Sequence, residues 1–154
     1  MEVLNKTMTN PADRPVKVVQ FGEGNFLRGF VDYMIDIANE QGKFDGSIVL
    51  IKPIEFGNLE NFHKQDCQYT VSLRGRVDGE AKILNRKITS VADAVDAYTE
   101  YEKYMSLAEI DTLRFVVSNT TEAGIVFDDT DKFELNPPKT FPGKLTKFLY
   151  HRFE

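Results

Sequence analysis

Gly22 and Gly24 stand one residue apart between a β-branched apolar run and a stretch of helical periodicity. Glycines so placed let a backbone bind phosphate. Gly22 permits the tight turn and Gly24 the close approach of chain to a pyrophosphate. The amides that open the next helix, with the positive end of its dipole, then hold the phosphate oxygens. The third glycine of the usual dinucleotide fingerprint falls at position 27, where this chain has Leu27. The motif alone therefore leaves open a plain strand-to-helix turn of some other α/β protein. A second polar stretch, Asn119-Thr120-Thr121-Glu122-Ala123-Gly124, leaves another apolar run. Its amide and hydroxyls suit a phosphate, a ribose or a carboxamide, and equally suit the capping of a turn. Lys52 closes the second apolar run, where dinucleotide folds normally carry an acid for the adenosine ribose. It reads either as a cation for the 2′-phosphate of NADP or as a solvated strand end, with Glu55 three residues late for the acidic role.

Other chemistries find little support. One cysteine, Cys67, excludes an internal disulfide and a cysteine-built metal site, and nothing near it resembles a base that would make it a nucleophile. The two histidines, His63 and His151, read as surface residues. A net charge of -5 argues against a nucleic-acid partner. No apolar run reaches the roughly 18 residues of a membrane span, and residues 1–14 lack the apolar core of a signal peptide, so the cytoplasm is the expected compartment. With 154 residues, 42% of them apolar and 28% charged, the chain fits one soluble globular domain.

The elements that must position these residues can be placed along the chain. Residues 1–14 read as a polar leader, and 15–154 as the domain. Val16 to Phe21 is a buried parallel strand. A helix runs from near Phe26 to Gln41, with Asn25 as N-cap, and Phe26, Leu27, Phe30, Val31, Met34, Ile35 and Ala38 form its inward face. Ser47 to Ile51 is the second strand and completes a right-handed β-α-β unit. Residues 57–68 are loop or short helix. Tyr69 to Arg74 alternates as a half-exposed strand, Asp78-Gly79 turns it, and Ala81 to Leu84 begins its return. Ser90 to Asp93 has capping-box spacing and predicts a helix carrying Val95, Tyr98, Tyr101, Tyr104 and Met105 on a core face. Leu113 to Ser118 is the next buried strand, and 128–138 a linker or long loop. An amphipathic helix starting at Lys144 and still running at Glu154 reads as a chain that continues, with Phe148, Leu149 and Phe153 left exposed. The expected fold is α/β and Rossmann-like: a doubly wound, mainly parallel sheet with helices on both faces and an antiparallel hairpin excursion. The loops at 22–27 and 119–124 would then flank one crevice.

Several longer motifs narrow the reading. Gln20-Phe21-Gly22-Glu23-Gly24-Asn25-Phe26-Leu27-Arg28, Ile51-Lys52-Pro53-Ile54-Glu55, and Tyr69-Thr70 with Leu73-Arg74-Gly75 resemble the N-terminal part of the mannitol dehydrogenase family of long-chain polyol dehydrogenases. Ser118-Asn119-Thr120-Thr121-Glu122-Ala123-Gly124-Ile125 and Pro142-Gly143-Lys144-Leu145-Thr146 extend the likeness toward its uronate branch. The resemblance implies a metal-free, NAD-dependent hydride exchange between altronate and tagaturonate, with fructuronate or mannitol as alternative specificities. It implies that Val19, Gln20, Phe21, Gly22, Glu23, Gly24, Asn25, Phe26, Leu27 and Arg28 cradle the dinucleotide. Asn119, Thr120, Thr121 and Glu122 would lie near the cofactor. It weighs against NADP despite Lys52, because this branch is similar in carrying a basic or amide residue before the proline while using NAD. The base that serves the small uronate or polyol substrate would be a lysine on a helical C-terminal domain absent from this chain, so no catalytic residue is expected within it. A non-catalytic nucleotide-binding module is the rival class. An adenosylmethionine-dependent methyltransferase fits less well, since it would want an acid where Lys52 stands.

Overall fold

The computed structural model of this chain describes residues 3–154 and centres on a four-stranded, wholly parallel sheet. Its strands are β1 (Val16–Phe21), β2 (Ser47–Lys52), β5 (Val91–Asp96) and β6 (Phe115–Ser118), in spatial order β5-β2-β1-β6. The chain leaves β1 for β2 on one side and later returns to pair β6 on the other, so the order reverses at β1. Alternation along β1 and β2 sends side chains into two cores. Val19, Phe21, Val49 and Ile51 pack with Tyr104, Leu107 and Phe148 on one face, where Phe21 meets three rings edge-on at 5.4–6.0 Å. Val18, Ile48 and Leu50 pack with Leu59, Tyr69 and Ile88 on the other, against Tyr33 and Ile35 of the first crossover helix and Phe62 of the short helix α4 (Glu60–Lys64). Helices therefore cover both faces, as expected of this fold.

A two-stranded antiparallel ribbon, β3 (Tyr69–Val77) with β4 (Glu80–Ile88), stands apart from the sheet. Its turn is Asp78-Gly79, both at positive φ, as the two central residues of such a hairpin require. Residues 5–14 are docked. The short helix α1 (Lys6–Thr9) is N-capped by Asn5, its Lys6 amide donates to Asp66, and the Thr9 hydroxyl donates to Gln68. Met1 and Glu2 of the expected leader lie outside the described residues.

Four expectations need correction. First, residues 91–96 are a strand, not the start of a helix. Ser90 caps nothing; its hydroxyl donates to the Asp32 carbonyl, and Val91, Ala94 and Val95 are buried as β5 pairs with β2. Pairing with a buried neighbour outweighs a local capping signal, and the helix is confined to α5 (Tyr101–Ser106). Second, the first crossover helix presents a different face. It runs as α2 (Asn25–Leu27), a π turn (Arg28–Asp32) and α3 (Tyr33–Glu40), and the wider turn rotates α3 relative to a regular helix. Phe26, Phe30 and Met34 are 63%, 51% and 55% exposed, while Leu27, Asp32, Asp36 and Asn39 are buried. Third, β6 is an edge strand with Phe115 half exposed. Fourth, Phe148 of α6 (Phe141–Phe153) is in the core; Leu149 and Phe153 remain exposed as expected.

Candidate functional site

The carboxyl ends of β1 and β6 lie side by side, because Phe21 pairs Ser118 in register. The chain turns sharply at Gly22, whose φ of +109° suits glycine and whose amide donates to the Ile51 carbonyl at 2.9 Å. A Cβ there would lie 3.3 Å from Asn119 Oδ1 and 3.7 Å from Leu27 Cδ1. The two polar loops read from the sequence thus meet across Gly22. Gly24, not Asn25, is the helix N-cap, with extended φ/ψ of -71° and 163°. No side chain caps this end, and a Cβ on Gly24 would meet nothing within 4 Å. The first amides of the helical run over residues 25–40 therefore carry no side-chain cap at its positive pole. Asn25 instead accepts a hydrogen bond from Arg28.

Beyond β6, Ser118 and Thr120 share a hydroxyl hydrogen bond of 2.6 Å, and the Thr120 amide donates to Ser118 Oγ at 3.1 Å. This local turn leaves Asn119, Thr121 and Glu122 exposed at the rim. Gly124 closes it, since a Cβ there would fall 2.4 Å from Thr120 Cγ2.

The expected site residues divide by exposure. Gly22, Glu23, Gly24, Asn25, Phe26, Arg28, Asn119, Thr120, Thr121 and Glu122 all reach the surface. The side chains of Val19, Gln20, Phe21, Leu27 and Lys52 are buried, so these residues shape the site from within. Gln20 braces the glycine turn, its Nε2 donating to the Gly22 carbonyl at 3.2 Å. Lys52 is 1% exposed and is no solvated strand end. Its ammonium pairs with Asp96 at 3.0 Å and donates to the carbonyls of Ile54 and Glu55 at 2.6 and 3.2 Å.

Sequence reasoning missed a polar cluster directly beneath the glycine loop. Asp32 is fully buried and accepts from the Tyr69 hydroxyl at 2.5 Å. Burial pushes its carboxyl up to about 6, against the hydrogen bond of Tyr69 and the charge of Arg28. The Arg28 guanidinium lies 5.5 Å from the ring centroids of both Phe62 and Tyr69. An aspartate amid the apolar residues 30–35 was the available signal, but it carries meaning only once the π turn sets which face is inward.

Burial pushes the Cys67 thiol up to about 12, the wrong direction for a nucleophile. His63 contacts the Ala94 carbonyl at 2.8 Å, and His151 pairs with Glu109. Among the described residues no cluster of metal-binding side chains occurs, and no helix is long and apolar enough to cross a membrane.

Comparison with known proteins gives the family of the chain. The model of the mannitol dehydrogenase Rossmann domain matches residues 16–154, so the chain belongs to the mannitol dehydrogenase family. It is 46% identical to altronate oxidoreductase of Bacillus subtilis and 45% identical to that of Bacteroides thetaiotaomicron, in each case over all of this chain. It spans about a third of the length of these relatives, 32% of each. The fold superposes on Pseudomonas fluorescens mannitol 2-dehydrogenase in ternary complex with NAD and D-mannitol, with a TM-score of 0.74 at 22% identity, over 99% of this chain and 36% of that one. A substrate-free D-sorbitol dehydrogenase gives 0.73 at 21% identity, with the same coverage.

Proposed function

We propose that residues 15–154 form an NAD-binding unit of an altronate oxidoreductase, with the pyrophosphate seated on the glycine turn and the helix start. The observation that carries this is the open approach at Gly24 over uncapped helix amides, with Gly22 fitted against Asn119 so that both loops border one crevice. The similarity to altronate oxidoreductases over the whole chain supports the sugar-acid class, and the NAD held by the fold's mannitol 2-dehydrogenase neighbour supports the cofactor.

In this reading each part of the chain has a distinct task. The amides of residues 25–27 bind pyrophosphate oxygens, and the helix dipole favours their charge. Gln20 keeps the Gly22 turn closed from below. Asn119, Thr120 and Thr121 offer an amide and hydroxyls to the ribose or carboxamide end, orienting the ring that accepts hydride. When bound, NAD supplies that hydride acceptor. The base that takes the substrate hydroxyl proton must sit within hydrogen-bond reach of the substrate. In this proposal it comes from a C-terminal domain beyond residue 154, so the chain binds cofactor without turning over altronate or tagaturonate. A lone cysteine kept as a buried thiol fits a reducing, cytoplasmic setting.

Titration with NADH, followed by nicotinamide fluorescence in a chain without tryptophan, tests the site. Gly24→Val places its side chain in open space at an ordinary φ, so the fold should persist. NADH affinity is expected to fall by tenfold or more, about 1.4 kcal/mol per factor of ten. An unchanged affinity in the folded variant defeats the assignment.

A further inference from the structure

The β3–β4 ribbon is fastened only at its root. Tyr69 and Ile88, register partners, are buried in the core, and Arg86 pairs with Asp36 and Glu40 of α3 at 2.7 Å each. Every residue from Ser72 to Asn85 is exposed, and neither edge of the ribbon pairs with another strand among the described residues. A two-stranded hairpin is marginal in water unless one of its faces is packed. The pleat supplies such a face. Val71, Leu73 and Val77 share one side with Ile88 and Leu84, and Leu73 stands directly opposite Leu84. An apolar strip thus runs from the core out along the arm, with its outer part uncovered. The arm is also basic, with Arg74, Arg76, Lys82, Arg86 and Lys87 against Asp78 and Glu80. This net +3 leaves -8 on the rest of a chain whose total is -5.

The matching chemistry sits on the loop after β6. Residues 125–134 hold four acids, Asp128, Asp129, Asp131 and Glu134, against Lys132 alone. The same loop exposes Val126, Phe127 and Phe133, with Phe127 at 86%. These three side chains line a hollow of about 190 Å³ together with Asp128 and Asp131. The loop is held in place, because Asp131 accepts from the Lys139 and Thr140 amides at 2.8 Å each, at the start of α6. It is therefore a formed surface, acidic and apolar, where the arm is basic and apolar.

We propose that the ribbon is a dimerisation arm. Its apolar, basic face docks on the 125–134 loop of a second copy of this chain, and the second copy's arm makes the same contact in return. Ribbon against ribbon would bring Arg74, Arg76 and Lys82 of two copies together, which like charge opposes. Ribbon on loop instead matches opposite charges around two apolar patches. Repeated about a two-fold axis, the contact closes as a dimer and leaves neither arm bare.

The test is sedimentation velocity of the 154-residue chain across the micromolar range. A monomer–dimer equilibrium is expected, weakening at least tenfold as sodium chloride rises from roughly 0.05 to 0.5 M. Leu84→Lys on the arm and Phe127→Lys on the loop should each weaken the dimer at least tenfold. Both side chains are exposed, so the urea midpoint should stay near that of the native chain. Lys82→Glu, a change of surface charge on the same arm, should weaken the dimer similarly if Leu84→Lys does not fold. Mixing Leu84→Lys with Phe127→Lys should restore association above that of either alone, because the intact loop of the first can take the intact arm of the second. A native chain that stays monomeric at low salt overturns the proposal. Association that neither substitution weakens overturns it too, since another surface would then be paired. Weakening by Leu84→Lys but not by Phe127→Lys would set arm against arm and overturn the loop as partner. A mixture that associates no better than its components overturns the reciprocal contact, and a dimer indifferent to salt overturns the charge pairing.

Discussion

Two buried polar clusters lie under the turns that leave β1 and β2, and they are built on opposite plans. Beneath the glycine loop, Asp32 is a lone buried acid answered by the Tyr69 phenol, with Arg28 nearby but bonded elsewhere. Neither Asp32 Oδ1 nor Gln20 Oε1 finds a partner in the protein. At the end of β2, by contrast, Lys52 is matched by a carboxylate and two carbonyls. Burial opposes ionisation of Asp96, yet hydrogen bonds from the Tyr98 amide and Lys52 hold its carboxyl below the ordinary range. Burial of a charge is costly in either place, but only the second cluster compensates it with a full opposite charge. The first is thus sensitive to protons and the second to the loss of a partner.

Mutation should separate them, and the larger effect belongs to the matched pair. Lys52→Met leaves Asp96 and two carbonyls without their cation, and removing one member of a buried pair costs about 3–5 kcal/mol. The lower end is expected, since the Asp96 side chain keeps 18% of its exposure. Urea unfolding at pH 7 checks this. A loss under about 1 kcal/mol would mean that the pair is no better than a surface ion pair.

Asp32→Asn should give the smaller effect, and one that depends on pH. The folded carboxyl titrates near 6 rather than 3.8, so the folded chain holds more protons than the unfolded chain between these values. The stabilisation from the protonated acid is complete below about pH 4 and lost as pH rises through 6. Raising a carboxyl this far corresponds to about 3 kcal/mol. Relative to Asp32→Asn, the native chain should therefore lose up to about 3 kcal/mol of stability between about pH 4 and 6.5, then change little. Parallel stability curves for the two proteins across that window would show that Asp32 is ionised throughout and that the cluster resembles its counterpart.

The same contrast separates the features that were legible in the sequence from those that were not. The Rossmann-like fold, the glycine turn and the meeting of two loops rest on local features, such as β-branched runs, glycine spacing and a polar stretch after a strand. The strand at 91–96 and both polar clusters rest on partners far along the chain, such as Tyr69 for Asp32 and Asp96 for Lys52. Lys52 was readable as a cation at the right place. Its direction was not, because that depends on β5, and β5 hid behind a capping-box pattern. Had residues 91–96 been read as a strand beside β2, Asp96 would have fallen opposite Lys52, its register partner.

The smallest expected effect tests the face that periodicity misassigned. Met34 belongs to the 26, 30, 34 stripe that spacing alone directs inward, and burial there would make Met34→Gln cost about 2–5 kcal/mol. In the structure this residue is 55% exposed, one turn along from the Phe26–Phe30 ring pair at 5.6 Å. The inward positions are taken by Asp32 and Asp36, and Asp36 is held by Arg86 at 2.7 Å and by the Thr89 amide at 2.8 Å. A polar residue at 34 loses little contact and keeps good helix propensity, so Met34→Gln should fall within about 0.5 kcal/mol of the native chain. Asp36→Ala, which leaves the Thr89 amide without its acceptor and Arg86 with Glu40 alone, should cost more than Met34→Gln in the same urea experiment. The opposite order would mean that the helix packs by simple 3.6-residue periodicity, and that Asp32 does not lie beneath the glycine loop at all.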